Sequence, residues 1–318
     1  MKTVLDLFCG AGGFSLGFLG AGFNVKYAVD IWKGCKETFE YNHSNTEFIL
    51  ADIKDLDPND FKDVDVVIGS PPCQHFSTAK NSPNPELGME LVNIFREWID
   101  VIKPKKWVME NVPGLFKHLS FTRFPEINIL NCTYYGVPQT RKRCFAGDYC
   151  PPEHTHEKEN FVTVWEALKD IMYIPPYMTP YKVMNSRSFD NKARQPYNEI
   201  DSPNQTITTT PPKITYTNLL DPEEYSIHEP CKTIRSIPIK WIDGKLDLVN
   251  GYPRTTGYRK FTVRELARIQ SFPDDFKFFG SESNQYKMIG NAVPPKIAFE
   301  IAKSMFNERK EMGDMMQI

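Results

Sequence analysis

Apolar and polar positions alternate in short blocks over the first 150 residues, and the period of the alternation changes from block to block. Thr3-Val4-Leu5-Asp6-Leu7-Phe8 predicts a strand that runs into the turn Cys9-Gly10-Ala11-Gly12-Gly13, with a helix starting at Phe14. Residues 24–29 form a second strand ending at Asp30, residues 32–43 suit a helix, and Phe48-Ile49-Leu50 is a short third strand ending near Asp52. Val64-Asp65-Val66-Val67-Ile68 predicts a buried fourth strand that delivers the chain into Gly69-Ser70-Pro71-Pro72-Cys73-Gln74-His75-Phe76-Ser77. Residues 77–89 are polar and carry Pro83, Pro85 and Gly88, so a mobile loop is expected there. Leu91, Ile94, Phe95, Trp98, Ile99 and Ile102 recur at helical spacing, a stripe that reads most simply as core packing. Trp107-Val108-Met109 is a fifth strand ending at Glu110, and residues 127–130 and 144–147 predict two more.

From about residue 150 the texture changes. Prolines cluster, helical periodicity fades, and short strands and loops are expected. Helical patterning returns at residues 262–270, where Thr262 and Glu265 stand at capping-box spacing, and again in an amphipathic helix near 295–308. No internal repeat and no long linker is visible.

A chain of 318 residues suits one large or two medium domains, and 25% charged residues is ordinary for a soluble globular protein. Lys2 and the small, apolar run to Phe23 resemble a leader, but Asp6 and the glycines at 10, 12, 13, 17, 20 and 22 would break its apolar helix. No run approaches the roughly 20 apolar residues of a membrane span. Seven cysteines without a CxxC pair argue against a disulfide framework or a zinc ribbon and point to a reducing cytoplasm. The net charge of −2 does not announce nucleic acid. The segment 171–289 is nevertheless mildly basic beside an acidic remainder, which suits a nucleic-acid face.

Strand, Gly-rich turn and helix is how a backbone approaches a nucleotide-like ligand, although a tight turn alone would use the same glycines. The dinucleotide fingerprint is absent, because its third glycine would fall at Ser15. Asp30 and Asp52 stand at successive strand ends, as ribose-binding carboxylates or as ordinary caps. Cys73 follows a strand end, where open α/β sheets place ligand chemistry. It reads either as a nucleophile or as one more small buried residue. Glu110 is another strand-end carboxylate. Gln139-Thr140-Arg141-Lys142-Arg143 reads by composition as a solvated basic face. Cys150, His154 and His156 lack a fourth ligand at sensible spacing, so no metal is expected.

Taken in order, residues 6–13, Pro71-Pro72-Cys73-Gln74, Glu110-Asn111-Val112, residues 139–143 and Gly290-Asn291-Ala292-Val293-Pro294-Pro295 resemble the cytosine-5 DNA methyltransferase family. Arg264-Glu265 and Gln270-Ser271-Phe272-Pro273 resemble the block before its last motif. The resemblance covers residues 1–148 and about 258–303. It implies a doubly wound α/β, Rossmann-like, S-adenosylmethionine-dependent methyltransferase domain with a smaller, mostly β or irregular target-recognition domain. The expected division is 1–170 plus 290–318 for the catalytic domain and 171–289 for target recognition.

The resemblance also implies the site. Phe8, Gly10, Gly12 and Gly13 would line the cofactor turn. Asp30 would take the ribose hydroxyls, with Ile31 on the adenine. Asp52 would bind the adenine amino group, flanked by Ile53, and Pro71, Leu91, Asn291 and Ala292 would complete the pocket. Cys73 would attack carbon 6 of a flipped-out cytosine, Glu110 would bind ring nitrogen 3 and the exocyclic amine, and Arg141 would donate to the base oxygen with Arg143 in support. The partner would be duplex DNA carrying a specific cytosine-containing site, bound by a monomer and paired with a restriction endonuclease. Loop 77–89, with Lys80, would close over the DNA. Thr206-Ile207 and Thr233-Ile234 both fit the family's short recognition signature. The chain departs from the family in a short stretch between Gly114 and Asn131, where a helix or part of one is expected to be missing. An RNA methyltransferase and a non-catalytic DNA-binding module are the competing readings; the long variable insert weighs against the first, and intact Cys73, Glu110 and Arg141 against the second.

Overall fold

The computed structural model describes residues 1–72, 85–171 (side chains from 89) and 261–305, together with the backbone of short strands between 178 and 260. Cys73, Lys80, Thr206-Ile207 and Thr233-Ile234 lie outside the described residues.

Seven strands form the central sheet: β1 (Thr3–Leu7), β2 (Asn24–Asp30), β3 (Glu47–Leu50), β4 (Val66–Gly69), β5 (Lys106–Asn111), β6 (Glu126–Asn131) and β8 (Lys142–Asp148), with the two-residue β7 (Gln139–Thr140) outside it. Their order is β3-β2-β1-β4-β5-β8-β6. The first five are mutually parallel, and β8 runs antiparallel between β5 and β6. The strand order reverses between β1 and β4, so the crevice at their carboxyl ends is the place where such a sheet binds ligands.

Both faces are covered, as the mainly apolar and largely buried central strands β1, β4 and β5 require. On one face α3 (Pro85–Ile102) lays Val92, Phe95, Trp98, Ile99 and Ile102 onto Leu5, Leu7, Val67 and Met109. This helix takes in residues 85–89, which composition had suggested as loop. Pro85 costs nothing in a first turn, where no N–H partner exists. On the other face α1 (Gly13–Gly20) and α7 (Pro295–Ser304) bury Phe14, Phe18, Ile297 and Ile301 against Val4, Val66 and Ile68. These two helices touch at Gly17, where a Cβ would lie 2.4 Å from that of Ala298. Lys2 Nζ donates to the carbonyl of Met305 at 3.4 Å, so the two ends of the described chain meet. Between β5 and β6 there is only a 3₁₀ stretch, Pro113–His118, where a crossing helix could stand.

The insert contributes a four-stranded sheet, with β9 (Met178–Met184) between β10 (Tyr197–Glu199) and β12 (Lys213–Asn218). The short β11 (Asn204–Gln205) pairs in parallel with β7, and β13 (Leu248–Val249) with β14 (Tyr252–Pro253) makes a small hairpin. The sheet is completed by β15 (Thr256–Lys260) on β12. From Phe261 on, side chains are described again. Phe261, Leu266, Ile269, Phe272, Phe276 and Ile289 share a core with Val164 and Leu168 of α4 (Val164–Leu168) and with Leu16. Arg268 of α5 (Val263–Ile269) reaches Asp170 and Asp274 at 2.5 and 2.6 Å. Ahead of α6 (Glu282–Asn291), Lys277 and Phe279 hydrogen-bond to Asn42 and Thr38 of α2 (Lys33–Asn42).

Candidate active site

At the carboxyl ends of β1 to β4 lies a cavity of about 330 Å³, in the size range of small-ligand sites. Its wall includes Phe8, Asp30, Ile31, Asp52, Ile53 and Leu91. Phe8 leaves β1 at φ 61°, a left-handed backbone that a bulky side chain adopts only under constraint, and Gly10 and Gly12 follow at 55° and 86°. This coil brings the N–H of Gly10 to Asp30 Oδ2 at 2.8 Å, while Asp30 Oδ1 accepts from the N–H of Trp32 at 2.7 Å. Burial raises the Asp30 carboxyl above the ordinary carboxylate value, and these two N–H donors pull it back. Each carboxylate oxygen keeps a lone pair for a further donor, which suits a pair of vicinal hydroxyls. Ile31 is 65% exposed on the cavity wall, an apolar platform for a flat ligand. Asp52 Oδ1 caps the turn after β3 by accepting from the N–H of Lys54 at 3.0 Å.

Gly10, Gly12, Gly13, Pro71, Asn291 and Ala292 do not line this cavity. Gly13 lies against the last motif: a Cβ there would meet Val293 O at 2.3 Å and the Ala292 Cβ at 3.3 Å. Pro71 is buried, and its carbonyl accepts from Asn111 Nδ2 at 3.0 Å, which ties the end of β4 to the end of β5.

On the other side of Pro71, Glu110 is buried at the carboxyl end of β5. Arg143 Nε stands 3.0 Å from Glu110 Oε1, a charge pair largely withdrawn from water. The basic run around it is not a solvated face. Arg141 is 1% exposed, and its Nη2 donates to the carbonyls of Gly290 and Ala292 at 3.0 and 3.1 Å; only Lys142 of the three cations is exposed. Burial explains the reversal, since a guanidinium enters a core only with acceptors in place. Among the described ion pairs, the cation on Glu110 is Arg143.

Four other cysteines, Cys9, Cys35, Cys132 and Cys144, are buried, and burial pushes each thiol up, Cys132 and Cys144 to about 12. At neutral pH these are thiols, not nucleophiles.

Several features were not foreseen from the sequence. Lys54 and Glu90 form an exposed ion pair at 2.5 Å across the cavity rim. Lys287 Nζ sits 4.2 Å above the Trp32 ring. Asp6, fully buried at β1, accepts from Ser15 Oγ at 2.5 Å, and burial raises it to about 7. The buried His43 ring lies under the turn, where a Cβ on Gly12 would be 2.2 Å from its Nε2; burial lowers it to about 4. An Asp inside an apolar strand was the only available signal for Asp6, and none pointed to His43. Among the described residues no helix is long and apolar enough to cross a membrane.

The family profile described as C-5 cytosine-specific DNA methylase matches residues 2–307. Type II methyltransferase M.MthTI of Methanothermobacter thermautotrophicus is 33% identical over 336 aligned positions, covering 95% of this chain and 96% of its own. Type II methyltransferase M1.HphI of Haemophilus parahaemolyticus is 31% identical, covering 95% of this chain and 86% of its own. Among solved structures, a mutant of Spodoptera frugiperda DNMT2 superposes with a TM-score of 0.64 at 17% identity, over 96% of this chain and 100% of that one, a likeness of fold.

Proposed function

Because the chain belongs to the C-5 cytosine-specific DNA methylase family, its reaction is methylation of cytosine carbon 5 in DNA, and we propose that it does so with S-adenosylmethionine through a covalent Cys73 adduct. The observation that carries the assignment of roles is the buried Glu110–Arg143 pair beside the β1–β4 cavity.

S-adenosylmethionine supplies an electrophilic methyl group when bound. The cavity residues fit it: Asp30 takes the ribose hydroxyls, Ile31, Ile53 and Phe8 enclose the adenine, Asp52 meets the adenine amine, and Leu91 closes the wall. Gly10, Gly12 and Gly13 shape the turn, while Pro71, Asn291 and Ala292 hold its far side. Cytosine carbon 5 is a poor nucleophile. The Cys73 thiolate adds to carbon 6, and the ring electrons move toward nitrogen 3, where Glu110 holds the base. Carbon 5 would then take the methyl group as the donor's sulfur–methyl bond breaks to leave a neutral thioether; loss of the carbon 5 proton to a base and cleavage of the sulfur–carbon 6 bond would restore Cys73. Arg143 orients Glu110 and donates to the base oxygen, and Arg141 acts from the core. The target atoms are unreachable in a stacked duplex, so the cytosine is flipped out.

The recognition domain is best drawn from about 171 to 260, because the segment from Phe261 shares its core with α4. The relatives named Type II methyltransferases support a restriction–modification role with a cognate endonuclease, acting as a monomer in the cytoplasm on one specific duplex sequence. Trapping tests the reading. Duplex DNA of random sequence containing 5-fluorocytosine is incubated with S-adenosylmethionine and either wild type or Cys73→Ser. A covalent adduct in wild type alone is expected, and sequencing it gives the target; an adduct with tRNA alone would reassign the substrate, and none at all would reject the covalent route.

A further inference from the structure

A buried set of polar side chains joins three stretches that are distant in sequence. Gln139 Nε2 donates to the carbonyl of Ile269 at 3.3 Å and to Gln270 Oε1. Gln270 Nε2 in turn donates to the carbonyl of Ala292 at 2.6 Å. The same carbonyl accepts from Arg141 Nη2 at 3.1 Å. Gln139, Arg141 and Gln270 are all buried. An amide has a fixed polarity: with its oxygen engaged by Gln139, the nitrogen of Gln270 must face Ala292. Ala292 lies against Gly13 of the Gly-rich turn, and Gln139 opens the run that delivers Arg143 to Glu110.

We propose that Gln270 is a positioning residue with two separable arms. Its N–H holds the Asn291-Ala292 turn against the donor-binding loop, and its oxygen holds Gln139, the start of the run whose Arg143 pairs with Glu110. The inference rests on the donor-site reading above. It concerns a side chain that touches neither donor nor base.

The arms can be cut one at a time. Gln270→Glu keeps the size and the acceptor for Gln139 but, once ionised, presents an oxygen to the Ala292 carbonyl, so it is studied at alkaline pH, where burial no longer keeps the carboxyl protonated. Gln270→Leu removes both arms. Two quantities are measured: S-adenosylmethionine binding to DNA-free protein by calorimetry, and single-turnover methylation of unmethylated genomic DNA at saturating donor. Both variants should bind the donor about tenfold more weakly, in keeping with an uncompensated buried polar group. The Glu variant should keep a saturated rate within about threefold of wild type, whereas the Leu variant should be at least about tenfold slower. A role confined to stability would lower the thermal midpoint and leave both quantities unchanged in folded protein, which would overturn the inference alone. Wild type that failed to bind the donor would instead overturn the donor-site reading, and this inference with it.

Discussion

Two buried ionisable side chains beneath the Gly-rich turn, Asp6 and His43, oppose each other in their dependence on pH. Folded Asp6 keeps its proton up to about 7, while the unfolded chain loses it near the ordinary carboxylate value, so its contribution to stability falls as pH rises through that window. Folded His43 stays neutral down to about 4, whereas the unfolded ring binds a proton below about 6.5, so its contribution falls as pH drops through that window. Where the windows overlap the slopes cancel in part. Asp6→Asn should therefore expose a stability that rises with pH between about 4 and 6.5, by on the order of 1–3 kcal/mol, in urea unfolding midpoints. A profile parallel to wild type would reject this account. At the same scale, Glu110→Gln and Arg143→Ala should each slow adduct formation at least about 100-fold while leaving donor binding near wild type in calorimetry. Much of this site was legible beforehand. Asp30, Asp52 and Glu110 close apolar runs, and a strand end is where a parallel sheet exposes side chains to a ligand. The division of labour between Arg141 and Arg143 was not legible. Two arginines in one basic run look alike until the register of β8 between β5 and β6 decides which one meets Glu110.

Between elements, α1 and α7 pack closely on the second face of the sheet. A methyl group on Gly17 has no room against Ala298 and the Phe299 N–H at 2.6 Å, so Gly17→Ala should push the helices apart. Overpacking of this kind costs about 1–3 kcal/mol, to be read as a lowered thermal midpoint. The strands from β1 to β5 and their order of appearance were legible because each carries a short cluster of apolar residues closed by a turn, although β3 at the sheet edge is itself only half buried. The start of α3 was not, since its apolar stripe begins only at Leu91, a turn and a half after Pro85. The antiparallel placement of β8 was also hidden, because it is set by pairing partners on both sides and not by its own sequence.

For the whole molecule, the last described segment is a structural layer and not an appendage. Removing residues 294–305 would strip Ile297, Ile301, Ala302 and Met305 from the core they share with Phe14 and Phe18. Such a chain should lose its cooperative thermal transition in circular dichroism. DNA binding should weaken steeply with salt, since each neutralised phosphate adds about 0.9 to the slope of log affinity against log salt. A flat dependence would place the DNA away from the basic segment. Residues Phe261 to Ile289 share a core with Val164 and Leu168, a contact invisible beforehand because the charge and proline content of a helical segment do not reveal which core it joins.

The hydrogen bond from Lys2 to the Met305 carbonyl has a consequence for gene architecture. Lys2 and Met305 stand within one hydrogen bond of each other, so a linker joining these two points would not have to cross the fold. A circularly permuted chain, with a linker between the segments around Met305 and Lys2 and new termini at the exposed Ser120-Phe121-Thr122 turn, would keep the contacts of β1, α1 and α7 while reversing their order along the sequence.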